Sequence, residues 1–471
     1  MRVLGVQCVR PLSALDSPKE AVRRFTPSWF TVVMSTGIVG QVIGTFPYDA
    51  PGKLQAGWAF WWLSLVLFCI FLAMLIGRFV FFWKEALLLF SQPFQAMFLG
   101  AVTMAFATII NGFPTFLIHY WDHDAVMEAA VVLWWIQAAL ALACTLLLPF
   151  FMFTLHRFEL EKMSALWLLP ILPCVVASGS GGIIARNASV GTAVYVMHMS
   201  YLLWGIGIPL CLMIMTIYLR RLMVHSIPPK ELVVSSFLPV GPMGMGAVAL
   251  LNLGAAAMRL YPPPATADVA ASGLIVSVTG VVVAFIMWGT GVWWLTVAVC
   301  SVCASCRQMT FNIGWWGFVF PLGVFTSAAN ELWRRLPDLQ SMRVVTAVLS
   351  CCTIALWAFV FLNTLIQGWN GSLFYAPCLA NRPKGDEPPQ ASGPGLESFP
   401  DSLNYCAKEG AAPSSSSDGE DGRQQQQQEE EEDVEAQQGK PQGEQPPEKQ
   451  AGGAAADGLQ RRVNGHAGDA L

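Results

Sequence analysis

The sequence predicts an all-α membrane protein, ten transmembrane helices followed by a disordered acidic tail, and three observations predict it. Of 471 residues, 54% are hydrophobic and 12% charged, about half the charged share of roughly 25% in a soluble globular chain. Apolar runs of about 20 residues recur through the first 370 positions, long enough to cross a bilayer core of roughly 30 Å. From about residue 381 the composition turns acidic, Gln-rich and low in complexity.

The apolar runs lie near 28–46, 58–80, 94–111, 126–153, 165–185, 194–219, 236–258, 274–300, 311–329 and 345–366. They are too long and too continuously apolar for barrel strands, so helices follow. Residues 1–24 read as a cytosolic arm. MRVLGVQCVRPLSALDSPKEAVRRF has no uninterrupted apolar core, so the first span itself is expected to direct insertion. Thr26, Pro27 and Ser28 make a helix start, Pro being tolerated in a first turn. Residues 25–370 then form the membrane domain.

Residues 371–471 are expected to be a disordered cytosolic tail. SSSSDGEDGRQQQQQEEEEDVEAQQ cannot bury enough apolar surface to offset its ordering entropy. Positions 381–471 hold 18 acidic and 8 basic residues, so the formal net charge of −4 describes the tail, and the membrane part is basic at its edges. Most of the cysteines fall inside spans, where they behave as small hydrophobes and imply no disulfide framework.

Loop Lys and Arg set the orientation. With a cytosolic N-terminus, 13 basic residues fall inside and 6 outside (Lys53, Arg186, Arg259, Arg334, Arg335 and Arg343), which puts both termini in the cytosol. The sequon Asn187-Ala188-Ser189 then lies outside, in a short loop.

Glycine is unevenly shared. The odd-numbered spans hold 14 and the even-numbered spans 6, and most in-span prolines, Pro321 among them, are also in odd spans. Gly and Pro loosen a helix, and the freed backbone groups must find partners in protein or cavity water. Odd helices are therefore expected to line a central passage inside an outer ring of even ones. The alternative is that small residues merely permit close helix contact. Lining candidates are Ser35, Thr36, Gly37, Thr108, Ser178, Gly179, Gly181, Gly244, Asn252, Gly317 and Pro321.

No ionisable residue falls in the middle of an odd span. Arg186 and Arg259 stand near outer ends as candidate basic groups at the mouth, and Glu128 and His198, the nearest proton-relay candidates, sit on even spans. A neutral lining with basic mouths suits anions. Exposed N–H groups and broken-helix N-termini offer partial positive charge without a fixed counter-ion that would trap the substrate. A cytosol-negative potential pushes each negative charge outward by about 2.3 kcal/mol per 100 mV. No GxxxxGK[ST] motif is present, and neither an enzyme activity, a cofactor nor a nucleic-acid partner is expected. The expected partners are the bilayer and a small anion. Phe320, next to Pro321, is the candidate plug of the passage. On spacing alone, ordinary packing is the commoner fate of one Phe among 29.

The residues also resemble a family. FTPSWFTVVMSTGIVG (25–40), FLGAVTMAFATIIN, LWWIQAAL, WLLPILPCVVASGSGGIIA, YLLWGIGIPL, RLMVHSIPPKELVVSSFLPVGPMGMG and FNIGWWGFVFPLG are similar to the fungal sulfite efflux pumps. These belong to the tellurite-resistance/dicarboxylate transporter family, with plant slow anion channels and yeast malate permeases. The resemblance implies ten helices as five hairpins around a central pore, a homotrimer, a plasma-membrane location, and occlusion by a Phe of the ninth helix. Its F-P-[LM] pattern falls on Phe320. Thr103, Ala105 and Met245 depart from the family's Pro, Gly and Gln, which alters pore polarity. The function implied is export of sulfite or bisulfite. A proton-coupled dicarboxylate carrier is the second reading. A metal site at Cys300, Cys303 and Cys306 is a remote third, since no His accompanies them.

Overall fold

The computed structural model describes residues 17–155, 159–229, 232–262, 272–306 and 309–369, with 371 and 373; the expected tail otherwise lies outside the described residues. The described residues hold thirteen α-helices and no strand: α1 (Pro18–Arg23), α2 (Phe30–Gly44), α3 (Lys53–Phe81), α4 (Trp83–Ser91), α5 (Pro93–Met97), α6 (Leu99–Thr115), α7 (His123–Leu155), α8 (Leu172–Asn187), α9 (Val190–His225), α10 (Val240–Leu260), α11 (Ser272–Ser305), α12 (Trp316–Arg335) and α13 (Gln340–Trp369). Each of the ten apolar segments is built on one main helix, α2, α3 and α6 to α13, and the third also takes in most of the short α5.

Seven helical stretches are long and apolar enough to cross a membrane. They contain α3, α6, α7, α9, α10, α11 and α13. The other three are α2 with 15 residues, α8 with 16, and α12 with 20, whose last turns carry Glu331, Arg334 and Arg335.

Short and long helices alternate for a local reason. Every odd-span helix is preceded by a break: a 3-10 turn at Pro27–Trp29 before α2, Ala165–Leu168 before α8, Val233–Phe237 before α10 and Ile313–Trp315 before α12, and the one-turn α5 before α6. Proline stands at or beside four of them (Pro27, Pro93, Pro170, Pro239), where its missing N–H cannot continue a ladder. Asn312 breaks the fifth by accepting a hydrogen bond from the Gly314 N–H onto its own side chain, 2.8 Å. The even-span helices run unbroken for 29 to 36 residues.

Packing sorts the two sets. α2, α6, α8, α10 and α12 touch in that order, and α12 closes back on α2. Each is paired with the long helix that follows it: α3, α7, α9, α11 and α13. The most apolar stretches of those long helices are 22 to 33% buried, against 72% for α6 and 100% for α10, so the short helices are the inner set.

The inner helices run parallel, because their contacts climb together. Ser35 donates to Trp316 O at 3.2 Å, and a Cβ on Gly323 would lie 2.8 Å from Ile38. Gly179 abuts Met245, and Arg186 reaches Asn252. Several expected lining glycines are what allow this approach. A Cβ on Gly37 would stand 2.6 Å from Thr108 Oγ1, and one on Gly244 2.7 Å from the Phe325 nitrogen.

Candidate functional site

A cavity of about 290 Å³ opens along the axis of the inner ring, and all five inner helices supply its wall. On α12 the lining residues are Phe320, Val324, Ser327, Asn330, Glu331 and Arg334, one face at helical spacing. At about 1.5 Å per residue that face spans roughly 21 Å. α2 contributes Ile38, Gln41 and Gly44; α6 contributes Thr108, Asn111, Pro114 and Thr115; α8 contributes Val176, Ile183, Arg186 and Asn187; α10 contributes Met245, Val248 and Asn252. From the long helices only Leu54, in the first turn of α3, joins them.

The wall is graded. Toward the N-terminal ends of the helices it is apolar, with Ile38, Val176, Met245 and Phe320 all buried. Toward the C-terminal ends it carries amides, hydroxyls and charge. Arg186 Nη1 donates to Asn252 Oδ1 at 3.0 Å and lies 3.5 Å from Glu331 Oε2. Arg334 Nη1 lies 3.9 Å from the other carboxylate oxygen. Asn252 is itself oriented by donating to Val248 O at 2.9 Å.

Three wall amides keep buried atoms without a hydrogen-bond partner in the protein: Gln41 Nε2, Asn111 Oδ1 and Asn330 Oδ1. Buried polar atoms of this kind call for water or a solute. The volume suits that, being far above the roughly 10–15 Å³ that a single water needs.

Of the residues expected at the passage, Phe320, Thr108, Asn252 and Arg186 lie on this wall. Gly37, Gly179, Gly181 and Gly244 lie at helix contacts instead; Gly181 fits against Trp134 of α7. Ser35 is tied to Trp316 O, and Thr36 accepts from Trp357 Nε1 at 3.1 Å. Ser178 is fully buried with an unpartnered hydroxyl away from the cavity. Gly317 faces Val234, and Pro321 faces Gly241. Arg259 donates to Ala185 O and Ala188 O at 3.0 and 2.5 Å, closing the end of α8 rather than facing the cavity.

Glu128 and His198 are exposed on long helices, away from the wall. Among the described residues no group of three or more His, Cys, Asp or Glu is placed to hold a metal, and Cys300, Cys303 and Cys306 are exposed. Toward the helix C-termini the lining is charged rather than neutral: Arg186, expected as a basic group at the mouth, is joined there by Glu331 and Arg334, with His119 on the same wall. Sequence reasoning missed Glu331 because the apolar run ends at 329, while the helix continues to Arg335 and its cavity face to Arg334. The spacing Phe320, Val324, Ser327, Asn330/Glu331, Arg334 was the available signal.

The sequence matches known proteins. The SLAC1 family model, described as voltage-dependent anion channel, matches residues 24–365. A protein named sulfite efflux pump SSU1 from Arthroderma otae is 36% identical over 357 residues, 75% of this chain and 93% of its own length. Its namesake from Candida albicans is 28% identical over 333 residues, covering 67% of each chain. A malic acid transport protein from Schizosaccharomyces pombe is 22% identical over 353 residues, 74% of this chain and 80% of its own. These relatives bear the names of transporters, not enzymes. The chain is therefore a multi-pass membrane protein that belongs to the SLAC1 family of voltage-dependent anion channels.

Proposed function

We propose that the chain exports small anions, sulfite or bisulfite first, through the axis of the inner ring, with Phe320 as the gate. The observation that carries this reading is the cavity wall, drawn from all five inner helices and ending on Phe320 among Ile38, Val176 and Met245. An apolar constriction beside an aqueous vestibule holds back a hydrated ion until it opens. Below it, α8, α10 and α12 begin only four to five residues before Val176, Met245 and Phe320. Their parallel N-termini present partial positive charge to an anion arriving from that side. Above it, Arg186 and Arg334 attract the anion onward. A cytosol-negative potential supplies the outward force, so a selective path suffices.

In this reading all ten helices span the plasma membrane as five hairpins, both termini are cytosolic, and the long helices meet lipid or the neighbours of a homotrimer. Sulfite is favoured because the relatives at 36% identity carry that name. The test is anion current and sulfite release from cells expressing the chain, compared with nitrate, chloride and malate. Phe320→Ala is expected to raise anion conductance severalfold at equal surface expression, and unchanged currents would remove the gate. Malate uptake accelerated by external acid, with no sulfite flux, would replace export by dicarboxylate carriage.

A further inference from the structure

A carboxylate on the wall of an anion path needs a reason, because it repels the anion by the same Coulomb term that lets a guanidinium attract it. Glu331 is the one acidic side chain lining the cavity among the described residues, and it is 13% exposed. Its two oxygens are divided between Arg186, at 3.5 Å, and Arg334, at 3.9 Å. Arg186 has a second, shorter tie to Asn252 at 3.0 Å, and Asn252 is locked to Val248 O. The guanidinium is thus held in place by an amide. Its carboxylate partner sits beyond the roughly 2.7–2.9 Å of a tight charge-assisted hydrogen bond. Such a pair can part without unseating the arginine.

We propose that Glu331 is a resident counter-ion. It pairs with Arg186 while the vestibule is empty and yields that guanidinium to a small anion that has passed Phe320. On its return it displaces the anion toward Arg334. This deepens the export reading and rests on it. An unpaired guanidinium in a half-buried wall would hold an anion too well, whereas conduction needs sites weak enough to leave. A tethered competitor of like charge lowers the net affinity by the strength of the pair the anion must break, yet leaves the attracting group in place. Arg335, which donates to Leu251 O at 2.8 Å and lies within the field of both Glu331 and Arg186, adds to Arg186 and Arg334, so the cluster with Glu331 carries a net charge of plus two that favours an arriving anion.

The test uses the purified full chain in liposomes, with initial efflux of sulfite, and of nitrate as a second probe, measured across a range of loaded concentrations. Glu331→Gln is expected to lower the half-saturating concentration by about threefold to fivefold, the upper range of an ion pair that solvent still reaches through Arg186, and to lower the maximal flux. Arg186→Gln should raise half-saturation, and adding Glu331→Gln to it should have a distinctly smaller effect than Glu331→Gln has alone, because Glu331 acts mainly through Arg186 and only its second oxygen faces Arg334. A general field effect of the carboxylate would persist in that background, so effects that multiply in the double variant overturn the proposal. Wild-type half-saturation in Glu331→Gln overturns it as well. Should the Gln variant fail to fold, Glu331→Asp shortens the reach to Arg186 and should shift half-saturation the same way by less; no shift there is equally fatal. Wild-type liposomes that release neither anion would overturn the export reading itself, whereas normal wild-type flux with unresponsive variants overturns only the counter-ion.

Discussion

Phe320 and Phe325 stand five positions apart on α12 and meet different surroundings. The Phe325 ring stacks on Trp288 with centroids 5.0 Å apart and planes at 5°; the bare face of Gly291 makes room for the ring, and that of Gly244 for the Phe325 backbone. Phe320 has the cavity on one side. Phe325→Ala should therefore lose about 3–5 kcal/mol, as for a fully packed aromatic, and Phe320→Ala distinctly less. Thermal unfolding of both variants in detergent checks the order. An equal loss would mean that Phe320 is packed like any core ring. The sequence singled out Phe320 through the Phe-Pro-Leu pattern at 320–322, but only the structure separates it from Phe318, which packs edge-on against Phe237 at 4.9 Å. Glu331 was illegible for a different reason. Hydropathy stops at the first charges, and the helix does not.

At the scale of elements, glycine has two uses that composition does not distinguish. A Cβ on Gly112 of α6 would overlap the Trp61 indole, whose N–H donates to Ile109 O at 3.0 Å. Gly205 of α9 has nothing within 4 Å. Gly112→Ala should destabilise by about 1–3 kcal/mol through overpacking, while Gly205→Ala should be neutral or stabilising by up to about 1 kcal/mol through helix propensity. Melting temperatures of the two variants decide it, and equal behaviour would contradict the packing described. The alternation of glycine between spans was legible and marked the inner helices. What each glycine touches was not, and most of those expected to line the passage serve contact between helices instead.

The arm before the first span gives an element-level pH prediction. Arg23 donates to both oxygens of Glu85 on α4, at 2.7 and 2.8 Å, and Glu20 accepts from Arg23 and Arg24. The Glu85 bond is the main reason the Arg23 guanidinium is held above its ordinary range. Burial alone would raise the Glu20 carboxyl, but hydrogen bonds from Arg23 and Arg24 outweigh it and hold the group below its usual 4.5. A carboxyl depressed by folding stabilises above its unfolded pKa and stops doing so as pH falls through the folded one. The helical turn of α1 that Glu20 ties to Arg23 and Arg24 should thus be fully stabilised above about pH 4.5 and loosen below it. Amide hydrogen exchange in α1, compared at mildly acidic and neutral pH, reads this directly; protection that does not change with acid would count against the network.

At the scale of the molecule, the ring is complete well before the chain ends. The fifth pair closes with α13 at Trp369, α13 touches α2, and the family match ends at residue 365. Seven of the segments were readable as the long apolar helices a membrane selects, whereas α2, α8 and α12 stand apart as shorter, interrupted ones, in keeping with freed backbone being tolerated only where protein or water can meet it. Closure of α12 onto α2 was not readable, since it depends on contacts such as Ser35 to Trp316 O across 281 positions. The described residues end at 373, and the ring and its cavity are complete within them. A chain ending at that position should therefore insert, pass the same anions, and match the full chain within about twofold in flux per molecule at the surface, a difference of under 1 kcal/mol in the barrier. Liposome flux of the two forms side by side is the measurement. A truncated chain that reaches the surface intact but conducts severalfold more or less would assign the acidic residues of 381–471 a part in gating, and the ring alone would no longer account for transport.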